Sequence, residues 1–321
     1  MPTASLSDSD FIKAWHRAGG SPQTMHEQTG VRVRAIYARR KSIEQRHGIA
    51  LATVARDGLQ NANSPYSPPA HFERRRKFEI TDGSVVVFSD PHFVPDHSTV
   101  AQDALEAVIR EIKPQLIVCG GDAVDGDTIS RWDPTRGHHK RFSIREELDC
   151  VKHHLDALVA VRGKAQLAWT LGNHDVRLSR YIAVKAPELM DLPYTRLDDW
   201  FPQWPLSWTV EINSGGPGMT VIRHRNQAGM LHLQSVKAGC HYVHGHLHKI
   251  NVHVYPSFNG YRYSVDAGSL ADPDSEAFDY AEGAPAHCQG FAVLTYKAGK
   301  LLMPELAYVH DGAAYFRGCR V

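Results

Sequence analysis

Apolar residues recur in two different rhythms along this chain. Between residues 6 and 48 the spacing is helical. Phe11, Ile12 and Trp15 share one face behind Ser7 or Asp8 as a cap, Ser21-Pro22 opens a second short helix at N-cap and N1, and Gly30 ends it. A third helix is expected from Val31 to Arg46. Its Val33, Ile36, Tyr37 and Ile43 are spaced for burial, and Arg32, Arg34, Arg39, Arg40, Lys41 and Arg46 fall mostly elsewhere. Residues 61–70 mix proline with turn formers and hold no helix. After the basic run Arg74 to Lys77 the rhythm changes to buried strands alternating with helices. Strands are expected at about 85–88, 115–119 and 166–170, and helices at about 98–112 and 143–161. That βαβ order predicts a parallel sheet. Beyond residue 205 short strands dominate, at about 207–212, 219–223, 251–255, 261–265 and 290–296, and predict a second sheet. The expected organisation is a helical module over 1–60, a linker and basic segment over 61–78, and an α/β domain over 79–321.

Composition narrows the class. At 321 residues and 42% hydrophobic content the chain holds one large core plus an appendage. A net charge of +1 excludes a globally basic nucleic-acid protein while leaving local basic clusters to do that work. The five cysteines (Cys119, Cys150, Cys240, Cys288 and Cys319) are scattered and odd in number, with no C-x-x-C pair, which predicts reduced thiols and a cytoplasmic setting. No basic-then-apolar leader opens the sequence and no apolar run approaches the ~18 residues of a membrane span, so neither secretion nor membrane insertion is expected. Among the 20 histidines, His153, His154, His253, His287 and His310 lie outside any motif and read as surface or packed imidazoles.

The candidate chemistry is concentrated in four clusters that follow predicted strands. These are Asp90-Pro91-His92, Gly121-Asp122-Ala123-Val124-Asp125, Gly172-Asn173-His174-Asp175 and His244-Gly245-His246-Leu247-His248. Loops on a rigid sheet are where catalytic groups concentrate, and carboxylate, amide and imidazole donors together make a metal site for divalent cations. In order and spacing the clusters resemble the calcineurin-like metallophosphoesterases, whose pattern is D-x-H, G-D-x-x-D, G-N-H-D/E, a lone His and G-H-x-H. The resemblance covers roughly residues 83 to 270.

That resemblance implies a four-layer α/β/β/α sandwich, preceded here by the small all-α module. It also implies two divalent metal ions, Mn²⁺ first and Fe, Zn, Ni or Mg otherwise. Asp122 would bridge them, with Asp90, His92 and His248 on one and Asn173, His224 and His246 on the other, and a bridging hydroxide would attack the phosphoester. His174 would protonate the leaving oxygen or stabilise its charge, with Asp175 orienting the ring. For Asp125 a supporting hydrogen-bond role is at least as expected as ligation, and it is left out of the metal set. For the lone histidine His224 is preferred over His232 and His241, although the family's following glycine is replaced by Arg225.

The substrate is sought in the insertion from Ile129 to Arg141, where Arg131, Trp132, His138 and His139 offer phosphate contacts and a stacking surface. Three short helices with a basic last one suit a helix-turn-helix, and Thr24 to Arg40 resembles the homeodomain-like modules of resolvases and phage terminases. DNA is then the expected partner, contacted by Arg39, Arg40 and Lys41; the alternative is a helical bundle that serves assembly. The corresponding activities are a nuclease acting on DNA, or a small-molecule phosphatase or cyclic-nucleotide phosphodiesterase.

Overall fold

The structure, a computed structural model, describes residues 6–49, 51, 72–130, 142–227, 233–258, 260–273 and 286–321. The chain divides into two compact units, Met1–Pro69 and Ala70–Val321.

The described residues of the first unit form three helices, α1 (Asp8–Arg17), α2 (Pro22–Thr29) and α3 (Val33–His47). Local chemistry accounts for their ends. Ser7 Oγ accepts from the Asp10 N–H, Ser21 Oγ accepts from the Thr24 N–H, and Gly30 closes α2 at φ 68°, a left-handed turn that costs glycine little. Phe11, Trp15, Met25, Ile36 and Ile43 form a fully buried core, each such side chain contributing roughly 1.5–3 kcal/mol of burial. Tyr37 corrects the expected burial pattern. It is 46% exposed, because Ile36 and Ile43, two turns apart, define the inward face and Tyr37 lies about 100° round from Ile36.

Among its described residues the second unit runs through fifteen strands and five α-helices. In chain order these are β1 (Arg76–Phe78), β2 (Gly83–Phe88), α4 (Val100–Ile112), β3 (Leu116–Cys119), α5 (Ile144–Val161), β4 (Gln166–Thr170), α6 (Arg177–Lys185), α7 (Leu197–Trp200), β5 (Leu206–Ser207) and β6 (Val210–Ile212). They continue as β7 (Thr220–Arg223), α8 (Gln234–Ala238), β8 (His241–His244), β9 (Ile250–Ser257), β10 (Gly260–Ala267), β11 (Gly290–Lys297), β12 (Lys300–Leu301), β13 (Glu305–His310), β14 (Ala313–Phe316) and β15 (Cys319–Arg320). One sheet has the order β15-β14-β13-β11-β2-β3-β4-β5, with β12 beside β11, and the other β1-β6-β7-β8-β10-β9.

Alternation along β2 shows how the layers are made. Val86 and Phe88 face α4 and α5, meeting Leu105, Val108, Val151 and Leu155, while Val85 and Val87 face the second sheet through Ile212, Ile222, Val243 and Val265. Side chains of period two therefore bury both faces of the strand, as a central strand between helices and a second sheet requires. The short α8 packs on β8 and β10. The result is the expected metallophosphoesterase sandwich.

Several expectations about the elements change. The first sheet is parallel only over β2, β3, β4 and β5; β11 pairs antiparallel to β2, and the strands after residue 290 extend this sheet rather than the second. The predicted strand at 207–212 is two strands in different sheets, β5 and β6, because a fully extended run cannot serve both layers without a break. Part of the basic segment is itself a strand. β1 pairs with β6, with Arg75 3.3 Å from Glu211 and Arg76 2.6 Å from Glu73.

Candidate metal centre

Every motif residue follows the C-terminal end of a strand in a parallel pair. Phe88, Cys119 and Trp169 stand in register across β2, β3 and β4, so the loops bearing Asp90, Asp122 and Asn173 leave the sheet at one level. Arg223 and His244 are likewise in register, which launches His224 beside His246 and His248. Crevices outside the carboxyl ends of parallel strands are where α/β sheets hold ligands.

The turns are tight and strained. Asp90 (φ 50°), His92 (39°), Asp122 (53°), His246 (69°) and His248 (54°) all adopt left-handed backbone, a conformation that non-glycine residues keep only where the surroundings enforce it, at a cost of about 1–3 kcal/mol each. Backbone pairing does the enforcing: the Asp90 N–H donates to the Gly121 carbonyl at 2.9 Å and the His92 N–H to the Asp122 carbonyl at 3.2 Å. Gly172 and Gly245 permit the approach, since a methyl group at either would collide with Asp122 Oδ1 or with Ser89 Oγ and Asp90 Oδ2.

Among the described residues three groups of donors have ligand atoms within 4.8 Å of one another: His92/Asp125/His174, and the two that hold the expected ligands, Asp90/His92/His248 and Asp122/His224/His246. In the latter two, one carboxylate oxygen is anchored and the other faces imidazoles. Asp90 Oδ2 accepts from Ser89 Oγ (2.5 Å) and the His246 N–H (2.8 Å), while Oδ1 lies 3.1 Å from His248 Nε2 and 4.0 Å from His92 Nε2. Asp122 Oδ1 accepts from the His174 N–H at 2.7 Å, while Oδ2 lies 3.0 Å from His224 Nε2. The imidazoles are aimed in the same way. Nδ1 of His224 stands 3.1 Å from the Gly120 carbonyl and Nδ1 of His92 stands 3.1 Å from Asp125 Oδ1, which leaves Nε2 of each toward the site. Asn173 Oδ1 joins the Asp122 group, 3.2 Å from His224 Nε2 and 3.2 Å from Arg225 Nε.

Electrostatics agrees with a cation site. Burial would raise Asp90, but His224, His248 and His92 hold it well below the ordinary carboxylate range. Burial would lower His224, but Asp122 and Asp90 raise it to about 9. Buried carboxylates thus draw positive charge from imidazoles, and hard oxygen with borderline nitrogen donors is the chemistry that Mn²⁺, Fe²⁺ and Zn²⁺ accept. The residues present fit two divalent metals.

Asp125 keeps its expected hydrogen-bonding role and takes over the orienting one expected of Asp175. His174 Nδ1 lies 2.8 Å from Asp125 Oδ1, the same oxygen that meets His92 Nδ1. Asp125 therefore orients the His174 ring, and its spacing from both imidazoles is that of hydrogen bonds. Asp175, fully buried, instead accepts from the N–H groups of Asp122, Ala123, Val124 and Gly172 and from Trp169 Nε1. It ties the second motif to the third. The reason is geometric: Asp175 points back under the sheet end, where burial and Asp122 push its proton affinity up and these donors pull it down.

Other candidates fall outside the centre. Arg131, Trp132, His138 and His139 lie outside the described residues, as does His232; His241 opens β8 and stacks on Tyr263 with ring centroids 5.1 Å apart. Arg39 donates to the Leu6 carbonyl and lies 3.5 Å from Asp8, Arg40 lies 3.5 Å from Glu44 and over Trp15, and Lys41 is exposed. The arginines are thus engaged within the helical unit. Residues that the motifs did not bring out are Ser89, which anchors Asp90; Glu147, whose Oε2 accepts from the Gly126 N–H at 2.6 Å; His287, whose ring packs 4.4 Å from His248; and Arg177, beside His174. Only Arg177 carried a sequence signal, its position three residues beyond His174 at the start of a helix.

No curated protein matches the chain. Among solved structures, that of the Haemophilus influenzae NAD nucleotidase (NadN) is similar at a TM-score of 0.32 and 11% identity, over 73% of this chain and 53% of that one, so the chain spans about half its length. Among the described residues no helix is long and apolar enough to cross a membrane. The sequence model of the calcineurin-like phosphoesterases matches residues 83–267, from β2 through β10 and every loop of the centre. The chain belongs to that family, whose members hydrolyse phosphoester bonds.

Proposed function

We propose that this chain is a two-metal phosphodiesterase whose substrate is DNA. The observation that carries the catalytic part is the paired anchoring of Asp90 and Asp122, each held by one oxygen and presenting the other to imidazole Nε2 atoms. Asp90, His92 and His248 would hold one cation, and Asn173, His224 and His246 the other, with Asp122 shared; Mn²⁺ is the first choice. Such a pair supplies positive charge for phosphoryl oxygens and makes water acidic enough to attack at neutral pH. The protein's own part is to fix that geometry, to keep His174 at the rim through Asp125, and to lock the second and third motifs together through Asp175.

The DNA part rests on the helical unit and its basic third helix. With Arg39 and Arg40 paired internally, cations presented outward on and beside this helix include Lys41, Arg32 and Arg34. The alternative substrate is a small nucleotide or other phosphoester, with the helical unit serving assembly. One experiment separates these: the Mn²⁺-loaded chain is incubated with end-labelled single- and double-stranded DNA and with bis-p-nitrophenyl phosphate, alongside Asp122→Ala. Cleavage of both substrates, lost in the variant, is expected. Hydrolysis of the generic diester with DNA untouched sinks the nuclease reading, and no hydrolysis of either with any added divalent metal sinks the catalytic one.

A further inference from the structure

Arg177 belongs to none of the metal motifs, yet it reaches their centre. It is the first residue of α6, with its side chain 21% exposed. Nη1 donates to the Asp125 carbonyl at 2.7 Å, and Nη2 lies 3.1 Å from His174 Nε2. A cation in the first turn opposes the helix dipole, and α6 has no acidic residue there and no side-chain cap to offset it. Helix stability does not explain this arginine.

Its partners define the chemistry. His174 Nδ1 faces two acceptors, the Asp125 carbonyl at 3.1 Å and Asp125 Oδ1 at 2.8 Å, so Nδ1 carries the hydrogen. A guanidinium donates and never accepts, so the Nε2 that meets it carries none. The same Nε2 stands 4.0 Å from Asp122 Oδ2, so Arg177 Nη2 presents its hydrogens where His174 faces the metal centre. Each Nη bears two hydrogens, and holding Asp125 and His174 uses one of each, which leaves one hydrogen on each Nη for an incoming oxygen.

We propose that Arg177 is a catalytic residue of this site: held against His174 and Asp125, its guanidinium takes a charged non-bridging oxygen of the substrate's phosphoryl group. This rests on the phosphoesterase reading. It makes His174 the holder of that donor in the ground state, and it assigns the site a preference for oxyanions that match a planar fork, which lysine does not reproduce.

The test uses the full-length Mn²⁺-loaded protein and its Arg177→Ala and Arg177→Lys variants, with metal content measured by elemental analysis and inorganic phosphate binding by calorimetry. Both variants are expected to keep their metal and to bind phosphate at least about fivefold more weakly. Arg177→Ala should also lose turnover of bis-p-nitrophenyl phosphate by about 100-fold. Added guanidinium ion should restore part of that loss where sodium at equal ionic strength does not, a rescue that a merely structural role would not show. Phosphate binding within fivefold of wild type in a variant that keeps its metal overturns the proposal. If Arg177→Ala loses metal, Arg177→Lys decides by the same threshold. Because phosphate binding does not depend on turnover, the two failures are distinguishable: a wild-type protein that binds phosphate but hydrolyses nothing defeats the phosphoesterase reading and the catalytic role of Arg177 with it, whereas unchanged phosphate binding in the variants of an active enzyme defeats the role of Arg177 alone.

Discussion

Asp125 shows how much one carboxylate carries at the residue scale. One of its oxygens meets Nδ1 of both His92 and His174, so the same group aims a proposed metal ligand and the histidine of the reaction edge. Asp125→Asn keeps the shape and removes the charge, and is expected to cut both metal occupancy and kcat by about 10–100-fold, measured by metal titration and steady-state rates on a generic diester. An unchanged metal affinity would mean that His92 is aimed by something else. Beneath the same loop, burial raises Glu147 to about 7, with Asp125 and Asp127 adding to the rise and the Gly126 N–H and Arg177 opposing it. A carboxyl with a raised folded value stabilises the fold fully below its unfolded value near 4.5 and loses that contribution as pH climbs through about 7. Glu147→Gln should therefore flatten the fall in stability between these limits, a difference of about 3 kcal/mol at its largest. Denaturant unfolding across that pH range measures it, and parallel pH profiles would refute it.

At the scale of elements, the site is five strand ends whose loops touch one another. The contacts are made possible by missing side chains: Gly172 lies against Asp122, and Gly245 against Ser89 and Asp90. Gly172→Ala and Gly245→Ala are expected to cost about 1–3 kcal/mol through overpacking and to weaken metal binding. Gly216→Ala, whose added methyl would come no nearer than 3.4 Å to the Asn213 carbonyl, should change neither. Chemical denaturation and metal titration of the three variants check this, and equal effects at all three would remove the packing argument. Helix starts were the boundaries most readable locally. Ser7, Ser21, Thr99 and Ser143 cap α1, α2, α4 and α5 by accepting from a backbone N–H three residues on, which is short-range chemistry that spacing alone reveals. The split between β5 and β6, and the return of β11 to the first sheet, were not readable. Strand partners are chosen by packing between layers, and short apolar runs look alike in either sheet.

For the whole molecule, metal and fold are linked. Loops that hold left-handed residues and opposed charges gain from a cation that only the folded state can bind. Mn²⁺ at ~100 times its Kd should add about 2.7 kcal/mol and raise Tm by a few degrees, an effect abolished by chelator and absent in Asp122→Ala. Thermal unfolding with and without metal reads it directly, and a Tm insensitive to metal in wild type would contradict the site. The helical unit makes a separate prediction. Because Arg39 and Arg40 are tied to Asp8 and Glu44, neutralising Lys41 together with Arg34 should weaken DNA binding and reduce its salt slope by about two, whereas Arg40→Ala should act mainly on the unit's stability. Salt-dependent binding isotherms separate the two, and binding unaffected by Lys41 and Arg34 would turn attention from this helix.

The sequence by itself determined the family, the three helices of the first unit, α4 and α5, and the central strands, and it named the motif donors as candidates. These depend on residue type and short spacing, and the physics behind them acts within a few positions along the chain. Only the tertiary structure decided which carboxylate serves which ring: Asp125 rather than Asp175 for His174, Asp175 for the N–H groups of the second motif, and Arg177 for Nε2 of His174. Asp125 and His174 are 49 positions apart, and Asp90 and His248 are 158. Pairing over such separations is set by where strand ends place their loops and which way each strained turn aims its side chain, and no local pattern encodes that direction.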